Sequence, residues 1–257
     1  MTETADVKHD VVELIGVLER LVEFGATTCA GLTGRARRSF PEHVQIALVL
    51  FPRTLDTALG VARLGRAGLG AQGIMLTRSL FEDMVDLHWA SARADVAVGR
   101  QRHMRHTWLV RAEEARPLTT AETDELAKLR TEFGRVPVKG WTNRSVRERV
   151  DDIAAMWPDE ADALREHHRL AVKHSNEVLH GSPSHLNDSV TLDEFGNARI
   201  QIGPRPALVV EAVDDAHWLL LRSTRQFVRD VAPDRRESLD ALVGRDGPVL
   251  MRFRHAS

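Results

Sequence analysis

The chain is predicted to be all-α: one helical bundle of about seven or eight helices, with a short hairpin-like insertion near residues 190–203. Two observations carry this. Apolar residues recur every three or four positions in segment after segment, and no series of alternating strands interrupts them. Prolines and glycines fall between these segments, where helices start and stop.

The first element is "DVVELIGVLERLVEFGATTCAGL". Val11, Leu14, Ile15, Leu18, Leu21 and Val22 line one face of an amphipathic helix. The basic turn "GRARRSF" follows, and Pro41 suits the first turn of the next helix. That helix, "PEHVQIALVLFPRTLDTALGVARLG", holds Pro52 in its interior, so a kink or break is expected near Phe51. "GLGAQGIMLTRSLFEDMVDLHWASARAD" is apolar over most of its circumference, which places it centrally in the bundle. A helix ended by Pro117 follows, and then one opening at "TTAETDEL" with Thr120 as its cap. "SVRERVDDIAAMW" and "PDEADALREHHRLAVKHSNEVLHG" are two more, the latter with proline at its first position. Short alternating runs around "FGN" predict the hairpin. "ALVVEAVDDAHWLLLRSTRQFVRDV" is a strong late helix, and a short helix with a frayed end is expected after Pro233. Three regions result: an N-terminal helix and basic turn over 1–38, a helical core over 39–232 and a charged tail over 233–257.

Composition narrows the function classes. The chain of 257 residues is 43% apolar and 28% charged, as in a globular protein, and its formal net charge is -2. No net basic field exists to gather DNA in general, although a local basic patch is compatible with these totals. A single cysteine, Cys29, excludes an intrachain disulfide and a thiolate zinc cluster and is read as a packing residue. The N-terminus is polar and acidic, unlike a signal peptide, and no long uninterrupted apolar run suggests a membrane partner. A cytoplasmic location is the expectation. The chain lacks a phosphate-cradling Gly-rich loop with lysine, a Gly-x-Ser-x-Gly elbow and a His-Glu-x-x-His pair.

Two stretches could carry chemistry. In "LTRSLFEDMVDLHW", Arg78, Glu82 and Asp86 are spaced i, i+4, i+8. This is either a solvated stripe or a partly buried Arg–Glu pair able to orient a neighbour or hold a phosphate. In "KHSNEVLHGSP", Lys173, Asn176, Glu177 and His180 share one helix face. His180 falls in the last turn, where the helix dipole favours the imidazolium. It is therefore a candidate acid–base group, or simply a cap before Gly181. Lys173 and Asn176 could hold an anion or a ribose hydroxyl. The histidine pairs His103/His106 and His167/His174 lack the ligand spacing of a known site, so neither metal nor cofactor is expected.

"AQGIMLTRSLFEDMVDLHWA", "KGWTNRSVRERVDDI" and "HSNEVLHGSPSH", in that order, resemble the bacterial domain of unknown function family 5677 over about residues 40 to 230. Such proteins are similar in outline to HEPN and abortive-infection proteins. The resemblance implies a homodimer and metal-independent RNA cleavage or RNA/nucleotide binding, in phage defence or a toxin–antitoxin setting. His180 matches the HEPN histidine. At the positions that leave four to six residues before His180, where the arginine is expected, stand Ser175, His174 and Lys173. The implied site is catalytic His180, Lys173 and Arg78, with Glu82, His174 and Asn176 in support. Either Lys173 or Arg78 takes the arginine's place, or the site is not a nuclease. The alternative function is a non-catalytic interaction or dimerisation module using Val209, Val213, Trp218, Leu220 and Leu221.

Overall fold

The computed structural model describes residues 3–32, 40–93, 96–134, 142, 144–180, 190–192, 194–200 and 205–254. Four long helices share one core: α1 (Glu3–Ala30), α2 (Glu42–Arg66), α3 (Gly70–Ala92) and α8 (Pro206–Val231). Helices α2, α3 and α8 pack against one another, and α1 lies on α2 and α8. The apolar face read for α1 is the one buried, with Leu14, Ile15, Leu18 and Leu21 inside. Between α2 and α8 the rings of Phe51 and Phe227 stack with centroids 4.1 Å apart.

Helix α3 is central, as its composition predicts. Every residue from Leu80 to Ala90 except Glu82 is buried. Its amino end lies against the start of α8. A Cβ at Gly70 would come within 2.4 Å of the Leu208 and Val209 backbone, and one at Gly73 within 2.9 Å of the Ala212 Cβ. Only glycine allows the two helices to approach so closely at position 70.

The remaining helices pack around this core. Helix α4 (Val96–Ala115) pairs with α5 (Thr120–Phe133) around Leu109, Leu126 and Leu129, and α4 leans on α2. Helices α6 (Val146–Met156) and α7 (Ala161–His180) pack together and against α3. Short 3-10 turns at Pro158–Glu160 and Pro233–Arg235 lead into α7 and into α9 (Arg236–Arg254). Strands β1 (Val190–Leu192) and β2 (Ala198–Ile200) form the expected hairpin in antiparallel register, with Val190 opposite Ile200. Gly196 occupies the turn at φ 79°.

Three local expectations are corrected. Helix α2 continues through Pro52 without the break allowed for there, because Leu50, Phe51, Leu55 and Ala58 anchor both sides of it in the core and their packing outweighs the proline's local cost. The cap of α5 is Thr119 and not Thr120: only Thr119 has a glutamate three residues on, and Glu122 closes a capping box with it. The stretch after Pro233 is a 19-residue helix, fastened to α1 where Arg20 Nη2 donates to the buried Asp246 at 2.9 Å. This α9 adds one helix to the expected count.

By length and composition, the α2 window His43–Arg66 is apolar enough to cross a membrane, and half of it is buried in the bundle. Of the five apolar residues singled out on α8, Val209, Val213 and Leu220 lie in the core, and Trp218 and Leu221 pack against it.

Candidate functional site

The α3–α7 contact brings together three of the residues singled out from the sequence. Arg78 on α3 directs Nε at Glu82 Oε1 (3.3 Å) and donates from Nη1 to Asn176 Oδ1 on α7 (3.1 Å). The Arg78 and Glu82 side chains are 39% and 43% exposed, so this network is wet and open to a ligand or to solvent. The buried ion pair lies one turn further along α3. Asp86 pairs with Arg149 of α6, and each is only 7% exposed. Burial pushes the Arg149 guanidinium down from its ordinary range, and the negative charge of Glu82 opposes that.

Lys173, one turn before Asn176, is exposed, with Nζ 3.9 Å from Glu177 Oε1. It lines a cleft of about 500 Å³ between α6 and α7, with Arg147, Val150, Asp151, Arg165, His168 and Arg169. Arg165, Arg169 and Lys173 stand at i, i+4, i+8 on α7. Carboxylates flank all three. Arg165 Nε lies 3.3 Å from Asp151 Oδ1, and Arg169 Nε lies 2.8 Å from Glu166 Oε2. Arg147, from α6, has no carboxylate partner among the described residues. The half-buried His168 ring stacks on Phe81 at 5.7 Å. Burial, then the nearby Arg147, lowers its pKa, so it presents a neutral imidazole to a cationic cleft.

Helix α7 carries the backbone of His174 and ends at His180. The side chains of both histidines lie outside the described residues, as does the segment 181–189. His167, His103 and His106, also singled out from the sequence, are engaged in packing. His167 stacks on Trp218 at 3.7 Å, and its Nδ1 is 3.0 Å from the Ala163 carbonyl. His103 and His106 meet edge to face and both pack on Phe133. Among the described residues, no three His, Cys, Asp or Glu side chains group as a metal site. Cys29 packs against the core, and burial pushes its thiol up to about 11, far from a reactive thiolate.

Arg147, Arg149, Arg165, His168 and Arg169 were not singled out by motif. The spacing of 165, 169 and 173 is a readable signal, because it extends the polar face of Lys173 back by two turns. The contributions of Arg147 and Arg149 depend on how α6 docks.

No curated protein and no solved structure matches the chain. A match does exist at the level of families. It spans residues 44–198, from the start of α2 to the first residue of β2, and so includes the Arg78–Glu82–Asn176 network and the whole α6–α7 cleft. By that match, the chain belongs to the family of unknown function DUF5677.

Proposed function

We propose that the chain binds RNA, or a nucleotide, along the α6–α7 cleft and cleaves the strand without a metal. One observation supports this above the others: Arg147, Arg165, Arg169 and Lys173 line a single cleft, and the last three stand on the helix whose last residue is His180. Exposed ion pairs, here at 2.8 Å for Arg169, 3.3 Å for Arg165 and 3.9 Å for Lys173, balance solvated cations only weakly, and a phosphodiester backbone can compete for them. Lys173 and Arg78 would steady the phosphate, Glu82 would hold Arg78, and Asn176 would meet a ribose hydroxyl or support Arg78 with His174 nearby on the helix. His180 would take the proton of the 2′-hydroxyl. The 2′-oxygen then bonds to phosphorus and the P–O5′ bond breaks, leaving a 2′,3′-cyclic phosphate and a protonated 5′-oxygen. In this reading a homodimer completes the site.

The test is incubation with single-stranded RNA in EDTA, comparing wild type with His180→Ala. Cyclic-phosphate ends that disappear in the variant are expected. Arg169→Ala with Lys173→Ala should weaken RNA binding and flatten its salt dependence by about one to two units of slope. RNA binding insensitive to this pair would overturn the assignment of the cleft. Light scattering that returns a single chain of 28.7 kDa would remove the dimeric site.

A further inference from the structure

A second cleft, of about 210 Å³, opens between the carboxyl half of α3 and the carboxyl-terminal part of α8, beside Trp157. Its lining is His88, Trp157, Arg222, Arg225, Gln226 and Arg229. Three arginines thus stand at i, i+3 and i+7 on one stripe of a core helix. Such a stripe is usually a solvated face. Here it borders a concavity with an aromatic wall and a buried imidazole, and that combination calls for an occupant.

Arg225 is exposed and has no carboxylate partner among the described residues. The Arg229 guanidinium lies 5.6 Å from the Trp157 ring centroid, with Nη2 3.3 Å from Ser91 Oγ and Nε 3.2 Å from Asp230 Oδ1. Gln226 also donates to Asp230, so that carboxylate is already shared. Burial, then the like charge of Arg225, pushes the Arg222 guanidinium down from its ordinary range. His88 adds no charge. Its Nδ1 lies 2.8 Å from the Met84 carbonyl, which assigns the ring proton to Nδ1 and leaves Nε2 as an acceptor.

Guanidinium forks match tetrahedral oxyanions, and a dianion placed among these arginines would relieve their mutual repulsion. A neutral imidazole acceptor and a side-chain amide suit the hydroxyl of a group carrying the phosphate. The volume admits a phosphate, and the cleft is open to solvent, so the group that carries the phosphate can extend out of it.

We propose that this cleft is a binding site for a phosphate group, free or carried as a monoester, held by Arg225 and Arg229 beside Trp157. It shares no lining residue with the α6–α7 cleft, so it stands whether or not the chain cleaves RNA.

The experiment is calorimetric titration of the full chain with inorganic phosphate and with uridine 5′-monophosphate, using uridine as the phosphate-free control. Saturable binding of at least one phosphate is expected, and the tighter of the two names the source: the free ion or a phosphate carried on a nucleoside. Arg225→Gln should weaken that binding about tenfold or more, since a hydrogen bond to a charged group is lost, without lowering the melting temperature. Arg229→Gln should weaken it too, and Arg63→Gln, on the exposed side of α2 and in neither cleft, should leave it unchanged. No saturable binding of either phosphate, equal binding of uridine, no loss in Arg225→Gln, or an equal loss in Arg63→Gln would overturn the proposal.

Discussion

Asp86 and Arg149 stabilise the fold only as a pair. Each is 7% exposed, so removing one strands a buried charge on the other. Asp86→Ala is therefore expected to cost about 3–5 kcal/mol in urea unfolding. Replacing both, as Asp86→Leu with Arg149→Met, should recover most of that loss, because an apolar contact needs no partner charge. A double variant as unstable as the single would mean that the pair does not act alone. His88 makes a prediction in pH. Burial lowers its pKa from 6.5 to about 4, and the bond to the Met84 carbonyl opposes this only in part. Above pH 6.5 the ring is neutral in both folded and unfolded chains, and there is no effect. Between pH 6.5 and about 4 only the unfolded chain takes up the proton, so stability falls as pH falls. The full loss is about 3 kcal/mol, reached below pH 4. His106 and His168 are shifted in the same direction, so the informative quantity is a difference. Stability curves of wild type and His88→Gln should converge as pH drops through this window, and parallel curves would refute the assignment.

Among the elements, α3 carries both the site and the core, and its register depends on two glycines. Gly70→Ala is expected to destabilise by about 1–3 kcal/mol, because the new methyl meets backbone and not a movable side-chain end. Gly244→Ala is the matched control. Gly244 lies in α9 with open space around it, and alanine there should stabilise by about 0.5–1 kcal/mol. Chemical denaturation of the two variants would show shifts of opposite sign. The helices themselves were legible in the sequence because their periodicity is a local property. So was the central place of α3, whose carboxyl half has almost no face to give to water. The hairpin was legible from the turn residues at "FGN". Pro52 does not break α2 because core packing on both sides of it, a tertiary fact, outweighs its local cost. The one-residue error at Thr119 came from two adjacent threonines, which only the glutamate at position 122 distinguishes. Of the candidate site, the Arg78–Glu82 pair was visible at i, i+4, but its bond to Asn176 spans two distant segments. The arginines of α8 were overlooked because that helix reads so strongly as core.

At the scale of the molecule, the segment that defines the family and the unit that folds differ in length. The match covers residues 44–198, yet α8 lies outside it and packs against both α2 and α3. An excised 44–198 fragment would expose the surfaces that Phe227, Val213 and Leu220 normally cover. It is expected to retain helical circular dichroism, to bind a hydrophobic dye and to lose its cooperative melt. A sharp two-state transition in the fragment would show instead that α8 is an accessory.

The close seating of α3 on α8 also has a consequence in time. On the ribosome, α3 is complete at residue 92, but the helix that covers it starts at residue 206 and ends at 231. At typical elongation rates the apolar faces of α2 and α3 would stay uncovered for on the order of ten seconds. Contacts between segments so far apart in sequence also close slowly once both exist. The nascent chain is thus most open to aggregation and to chaperone capture just after α3 emerges, and that window closes only when the Phe227 ring reaches Phe51.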